Sequence, residues 1–282
     1  MKNHALTAII LAKNEEQMLA NCLETLKWVD QVIVVNDGST DRTVEIAENF
    51  GAKVIHFEHS SFARLRNQPL KQVETDWLMY IDPDERITPT LAKEIMVRIE
   101  TGNYQAFTFK RKNICYGQEF NHGGWQNDEV TRVFQKQALK EWQGQVHESP
   151  VYEGQNFTLT TPLIHLTHRN TQDNLRKSAE WTRIEAELLV KADVSPVKFF
   201  TLLRKGGMEF FRRAIMQKGY KDGMAGLVEA LVQGLNKIMV YIQVWELQQN
   251  PSLTDQYRQH EIKIVKQWQE SDLQQLIKQK TS

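Results

Sequence analysis

Gln31-Val32-Ile33-Val34-Val35-Asn36-Asp37-Gly38-Ser39-Thr40-Asp41 decides how this chain folds: a β-rich apolar run that ends in a polar, glycine-containing turn. An apolar run of this length bounded by turn residues reads as a strand buried on both faces. On its carboxyl side Val44, Ile46, Ala47 and Phe50 repeat at helical spacing, with Ser39 or Thr40 to cap the helix and Gly51 to close it. On its amino side Ala5 to Leu11 reads as another short buried strand. A helix is predicted after it from Asn14 to Lys27, with Met18, Leu19, Cys22, Leu23 and Leu26 on one face. Lys53 to Phe57 and Trp77 to Ile81 read as further strands, with Arg64 to Val73 as the helix between them. This alternation predicts an α/β domain with a mostly parallel sheet and helices on both faces.

Sheets of this kind bind ligands beyond the carboxyl ends of their strands, where the strand order reverses. Polar clusters fall at those ends: Asn14-Glu15-Glu16, Asp37-Gly38-Ser39-Thr40-Asp41 and Asp82-Pro83-Asp84-Glu85. Two carboxylates just past a buried strand repel each other unless a cation neutralises them. Mg²⁺ is commonly held by one or two carboxylates together with substrate phosphate oxygens. The same Asp-Pro-Asp also suits an ordinary strand-to-loop turn. Asp37 either accepts hydrogen bonds from a base edge beside free helix N-terminal amides, or belongs to a plain turn and cap. Arg64 and Arg66 either pair with phosphate or base, or are solvated surface.

From about Asn170 the pattern turns helical, with Met224, Leu227, Leu231, Leu235, Ile238 and Ile242 marking an extended amphipathic helix. Between Pro196 and Lys221 the basic residues Lys198, Arg204, Lys205, Arg212, Arg213, Lys218 and Lys221 face a single acid, Glu209. Phe199, Phe200, Leu203, Phe210 and Phe211 fall on one side of this segment. That pattern fits a helix lying in an anionic membrane surface, and equally one packed on its own protein or another subunit. The expected organisation is a catalytic domain over 1–168 and a helical region over 169–282, a candidate for membrane association.

With 35 basic and 35 acidic residues in 282, the chain has no net charge that points to nucleic acid. Its 41% apolar and 25% charged residues are those of a soluble globular protein. Cys22 and Cys115 lie too far apart for metal-ligand spacing and read as buried thiols suited to a reducing cytoplasm. The apolar run from Ala5 to Ala12 is too short to span a membrane and lacks a signal-peptide pattern, so a cytoplasmic location is expected.

Together, Asn14-Glu15-Glu16, Asp37-Gly38-Ser39-Thr40-Asp41, Arg66-Asn67 and Asp82-Pro83-Asp84-Glu85 resemble, in order and spacing, the family 2 glycosyltransferases of GT-A fold. Thr131-Arg132-Val133-Phe134, Gly144-Gln145-Val146-His147-Glu148, His165 and the stretch Lys218 to Gly223 are similar to the branch containing the lipopolysaccharide core β-1,4-glucosyltransferases. The resemblance implies a metal-dependent, inverting hexosyltransferase that takes a sugar, glucose in that branch, from a UDP-sugar donor. Its acceptor would be a glycolipid or saccharide such as lipopolysaccharide core, reached from the inner face of the membrane in cell-envelope biosynthesis.

By the same resemblance Asn14, Glu15, Asp37, Arg66 and Asp82 would form the nucleotide pocket, with Arg66 assisting Asp37 at the base. Asp82 and Asp84 would hold Mg²⁺ or Mn²⁺, with His165 near the metal or phosphate. Glu148 would be the catalytic base, with His147 orienting it. Asp128 and Glu129 are competing bases, and His165 is otherwise a hydrogen-bonded scaffold residue. Pro83, where relatives often carry a small residue, fixes the backbone between the aspartates. A nucleotidyltransferase would carry a Gly-rich loop where this chain has Ala12-Lys13-Asn14-Glu15-Glu16, and a dinucleotide-binding dehydrogenase G-x-G-x-x-G. A nucleotide-sugar-binding scaffold without turnover is the non-enzymatic alternative.

Overall fold

The computed structural model describes residues 4–58, 61–144 and 148–270, leaving aside the side chain of Glu180. Its first half alternates β1 (Leu6–Ala12), α1 (Leu19–Glu24), β2 (Gln31–Asn36), α2 (Thr43–Asn49), β3 (Lys53–His56), α3 (Phe62–Asn67) and β4 (Trp77–Tyr80). There follow β5 (Glu85–Arg86), α4 (Pro89–Thr101), β6 (Ala106–Cys115), β7 (Gln118–Glu119), β8 (Glu129–Gln135) and β9 (Leu139–Gln143). The last strands are β10 (Ser149–Tyr152), β11 (Asn156–Thr158) and β12 (Leu163–Leu166). After them, among the described residues, come the helices α5 (Thr171–Lys191), α6 (Phe199–Phe211), α7 (Gly223–Leu247) and α8 (Leu253–Gln269), with short turns of other helix types between.

The main sheet runs β3-β2-β1-β4-β8-β6-β12-β5, with β7 and β11 on the flank of β6. β3, β2, β1 and β4 pair parallel, as does β12 with β6, while β8 runs antiparallel between β4 and β6. Alternate residues of each strand feed opposite faces. Leu6, Ala8 and Ile10 pack under Leu19, Cys22 and Leu23 of α1 and Leu91, Ile95 and Ile99 of α4. Ile9, with Ile33, Val35, Leu78 and Tyr80, packs against Ala63 and Leu65 of α3. Both faces are therefore covered, and the chain order reverses between β1 and β4.

The first helix is shorter than its apolar spacing predicts, and the reason is Asn14. Its φ of 54° is left-handed and cannot lie in a right-handed helix. The chain instead turns through residues 15–18 before α1 begins at Leu19. The expected caps of α2 are likewise used elsewhere. Ser39 Oγ accepts from Asn14 N at 3.0 Å, and Thr40 N donates to Asn14 Oδ1 at 2.8 Å. Asp41, one residue before the cap position Arg42, accepts from Thr43 N at 3.0 Å and from Glu16 N at 3.0 Å. The loops after β1 and β2 are thus laced together.

The chain forms two compact units, one of residues 1–175 with 212–230 and the other of 176–211 with 231–282. In the second, Ala186, Val240, Tyr241 and Val244 form a small core between α5 and α7. Of the apolar stripe read from the sequence of α7, Met224, Leu227, Leu231 and Leu235 are exposed while Ile238 and Ile242 are half-buried, and Ala230, Val240 and Val244 outside the stripe are buried. Among the described residues, Gly219–Leu247 is long and apolar enough to cross a membrane.

Candidate active site

Three strand ends converge at the reversal point. Asn14 and Glu15 follow β1, Asp37 follows β2 and Asp82 follows β4, with Asp37 N donating to Ala12 O at 2.9 Å. Lys13 Nζ lies 3.4 Å from Asp37 Oδ2, so this carboxylate already faces a cation. Glu15 N donates to Thr43 Oγ1 at 2.7 Å, and the Asn14 carboxamide oxygen is used by Thr40. Gly38 has a φ of 72°, and a Cβ there would sit 2.7 Å from Glu58 Cδ, so this turn accepts no larger residue without strain.

Asp82-Pro83-Asp84-Glu85 is a tight turn closed by Glu85 N donating to Asp82 O at 2.9 Å, and Asp82 N donates to Glu85 Oε2 at 2.8 Å. Pro83 occupies the second turn position, where its fixed φ is an advantage. The turn is further fastened by Arg86 Nη1, which donates to Pro83 O at 2.6 Å. Leu166 N donates to Asp84 O at 2.8 Å, and the β5–β12 pairing sets Glu85 opposite His165.

Asp82 is gripped by two buried arginines. Arg132 Nη2 stands 2.9 Å from its Oδ2, and Arg66 Nη2 stands 3.5 Å from its Oδ1. Burial raises the pKa of Asp82, but the guanidiniums of Arg132, Arg66 and Arg111 outweigh it and hold the carboxyl well below the usual range. Arg66 also donates from Nε to Glu148 Oε1 at 2.9 Å, bringing Glu148 to the same cluster as Asp82. Its guanidinium stacks over Trp142 and Tyr80, 4.9 Å and 5.4 Å from the ring centroids. Asn67 exchanges hydrogen bonds with the Trp142 backbone at 2.9 and 2.8 Å, fixing α3 to β9. Arg66 is only 4% exposed and committed to two carboxylates, a different job from the base contact expected of it. Glu85, wholly buried, has its carboxyl pKa raised by desolvation and by the charge of Asp82.

Asp84 and His165 form a second pair, with Nε2 of His165 3.6 Å from Asp84 Oδ2. His165 Nδ1 lies 2.7 Å from Asn113 Oδ1. The Asn113 amide nitrogen donates to Asp128 Oδ2 at 3.1 Å and to Trp125 O at 3.4 Å, so its oxygen is the acceptor and Nδ1 of His165 carries the proton. In the neutral ring Nε2 then turns its lone pair toward a carboxylate. A proton or a cation on that side satisfies both groups, and a hydrogen-bonded imidazole with its other nitrogen outward is the usual support of a metal ligand. Around this point the guanidiniums of Arg66, Arg111 and Arg132 meet the carboxyls of Asp82, Asp84, Glu85, Asp128 and Glu148. On the Asp84–His165 side a carboxylate and an imidazole nitrogen stand together, a donor pair that suits a divalent cation. No cluster of three or more His, Cys, Asp or Glu stands ready to coordinate a metal among the described residues, so the remaining ligands would come from substrate phosphate and water.

Asp128 pairs with Arg111 at 3.7 Å and receives the Asn113 amide, which makes it a support of His165. Glu129 is exposed on β8 opposite Lys110, and Arg64 is exposed on α3. His147 lies outside the described residues. Cys22 and Cys115 are buried free thiols. The roles of Arg132, Asn113, Trp142 and Tyr80 were not readable from sequence, although Arg132 stands within the Thr131 to Phe134 motif. A charged residue beside Val133 and Phe134 in a buried strand was the one available signal.

The mostly parallel sheet with helices on both faces, followed by a helical region, has the GT-A architecture. The Glycosyl transferase family 2 profile matches residues 7–153, and the chain belongs to that family. Over 262 residues it is 21% identical to the lipopolysaccharide core biosynthesis glycosyltransferase LpsC of Rhizobium meliloti, covering 89% of this chain and 96% of that one. It is 25% identical to an uncharacterized glycosyltransferase of Rickettsia felis, covering 80% and 84%. A TPR repeat-containing protein of Synechococcus elongatus is 27% identical over 191 residues, 61% of this chain but 46% of that protein. Among solved structures, S. aureus TarS 1-349 in complex with UDP-GlcNAc is similar at a TM-score of 0.44 and 12% identity, covering 91% of this chain and 92% of that one.

Proposed function

We propose that this glycosyltransferase is an inverting, metal-dependent hexosyltransferase that moves a sugar, glucose in the first instance, from a UDP-sugar to a glycolipid or saccharide acceptor such as lipopolysaccharide core. The observation that carries the reading is the meeting of Asp82, Asp84 and Glu148 beyond the end of β4 with His165 on β12, beside the strand ends that carry Asn14, Glu15 and Asp37. The similarity to a lipopolysaccharide core biosynthesis glycosyltransferase supports the acceptor class. The catalytic domain in this reading is 1–168, helped by the 212–230 segment of the same compact unit, and the helical region is 169–282. Its place is the cytoplasm, peripheral on the inner face of the membrane.

In this mechanism Asp37, Asn14 and Glu15 line the nucleoside end of the donor, and Asp84 and His165, with Asp82 beside them, would hold Mg²⁺ or Mn²⁺. Such an ion supplies Lewis-acid neutralisation of the negative charge that gathers on the departing diphosphate. Asp82, tied by Arg132 and Arg66, positions the turn that carries Asp84 and presents two cations near the phosphates. Glu148 removes the proton of the acceptor hydroxyl as that oxygen attacks the anomeric carbon from the face opposite the leaving diphosphate. Its ion pair with Arg66 holds the carboxylate in one orientation, which general-base catalysis needs. Isothermal titration of UDP and UDP-sugars with Mn²⁺ and with EDTA tests the donor half, and glycosyl transfer to defined acceptors tests the rest. Equal affinity with and without metal refutes the metal-dependent reading.

A further inference from the structure

The aromatic face of α6 is uncovered. Phe199 and Phe200 are 69% and 80% exposed, Met208 is 60% exposed, and Leu203 and Phe211 are exposed beside them. The opposite face of the same helix is pressed tight: a Cβ on Gly206 would run into the Ile238 side chain of α7, and one on Gly234 would meet Phe210. The neighbouring stretch of α7 adds Leu231, Leu235 and Met239, also exposed. Burying one such Phe or Leu side chain contributes roughly 1.5–3 kcal/mol. An uncovered group of this size on a soluble protein marks an interaction surface.

The charges beside it choose the occupant. Arg204 is exposed on this helix, Lys198 is exposed at the residue before it, and Lys205 Nζ stands 5.1 Å over the Tyr241 ring. The only acid between Pro196 and Phe211 is Glu209. A second copy of the chain meeting this face about a two-fold axis would bring like cations together. A bilayer with anionic headgroups meets both the apolar side chains and the cations. α7 is held against its own unit through Lys237 and Glu185, 2.5 Å apart, which suits a helix lying on the surface better than one leaving to cross it.

We propose that α6, with the adjoining outer stripe of α7, is a docking surface for an anionic phospholipid bilayer, with Phe199 and Phe200 inserting at headgroup level and Lys198 and Arg204 contacting headgroups. This surface rests on and deepens the peripheral membrane placement of the proposed function, and its test reads lipid binding without any sugar substrate, so its failure is distinguishable from failure of the sugar-transfer reading.

The test is co-sedimentation of the full chain with phosphatidylcholine vesicles and with vesicles containing phosphatidylglycerol, at low and high salt. Wild type should sediment with the anionic vesicles at low salt and be released by high salt. Lys198→Glu with Arg204→Glu should weaken partitioning by about fivefold or more per cation, and Phe199→Ser with Phe200→Ser should abolish it. These side chains are exposed, so circular dichroism and the melting temperature should stay at wild-type values, and UDP affinity should not change. Three results overturn the proposal: wild type left in the supernatant, variants that sediment like wild type, or a wild-type dimer in light scattering that the Phe variants dissociate. Sedimentation that resists both high salt and alkaline extraction also overturns it, since that behaviour belongs to a spanning helix.

Discussion

Arg66 Nε donates to Glu148 Oε1 at 2.9 Å while its Nη2 reaches Asp82 Oδ1 at 3.5 Å, so one buried guanidinium joins the candidate base to the acidic turn. Removing one member of a buried ion pair leaves the others uncompensated, at a cost of roughly 3–5 kcal/mol. Arg66→Met should therefore lower the melting temperature strongly, and Arg66→Lys should recover only part of the loss because Lys lacks the planar fork. Scanning calorimetry reads both. A melting temperature unchanged in Arg66→Met refutes the structural weight given to this residue.

Glu148→Gln keeps the shape and one hydrogen-bond acceptor for Arg66 but cannot take a proton. Turnover should fall about 10²- to 10⁴-fold, the usual contribution of a general base. Donor KM and metal affinity should stay near wild type, which separates the base role from a binding role. Near-normal transfer by this variant would move the base to another carboxylate, and Asp128 is the first to try.

Metal and donor binding should be linked through Asp84 and His165. In wild type UDP should bind more tightly with Mn²⁺ than with EDTA, and Asp84→Asn or His165→Ala should erase most of that difference. Asn113→Ala frees the imidazole to rotate, so it should weaken the metal effect without removing a ligand, typically by about 10- to 100-fold for such outer partners. A full metal effect in the His165 variant would exclude the ring from that site.

The ion pairs of Asp82 set a pH dependence of stability. Its folded pKa is depressed, so between the folded and unfolded values the unfolded chain binds more protons. The stabilisation is therefore present above the ordinary carboxylate range and is lost as pH falls through the folded pKa. Asp82→Asn should be less stable than wild type at neutral pH, with the gap narrowing in acid. Thermal melts from neutral pH downward give the curve, and a gap that widens in acid contradicts the sign.

The sequence by itself determined the order of strands and helices in the first half and the polar clusters at the strand ends, because both are written in windows of a few residues. Apolar runs, glycine turns and helical spacing are local properties, legible at β1, β2 and β4 and in the helix after β2 without any partner. Tertiary structure decided what those groups touch. Arg66 meets Glu148 across 82 positions and His165 meets Asn113 across 52, and no local pattern encodes such partners. It also decided that Asn14 ends the first strand in a left-handed conformation where a helix was predicted, since the amide of Thr40 draws its side chain into a bond between loops. In α7 the periodicity marked an apolar stripe, yet Val240, Tyr241 and Val244 from outside it form the core with Ala186, Ile238 of the stripe packs on Gly206, and Leu231 and Leu235 stay exposed. Periodicity says which residues share a face. Which face finds a partner depends on the surfaces that the rest of the chain brings to meet it.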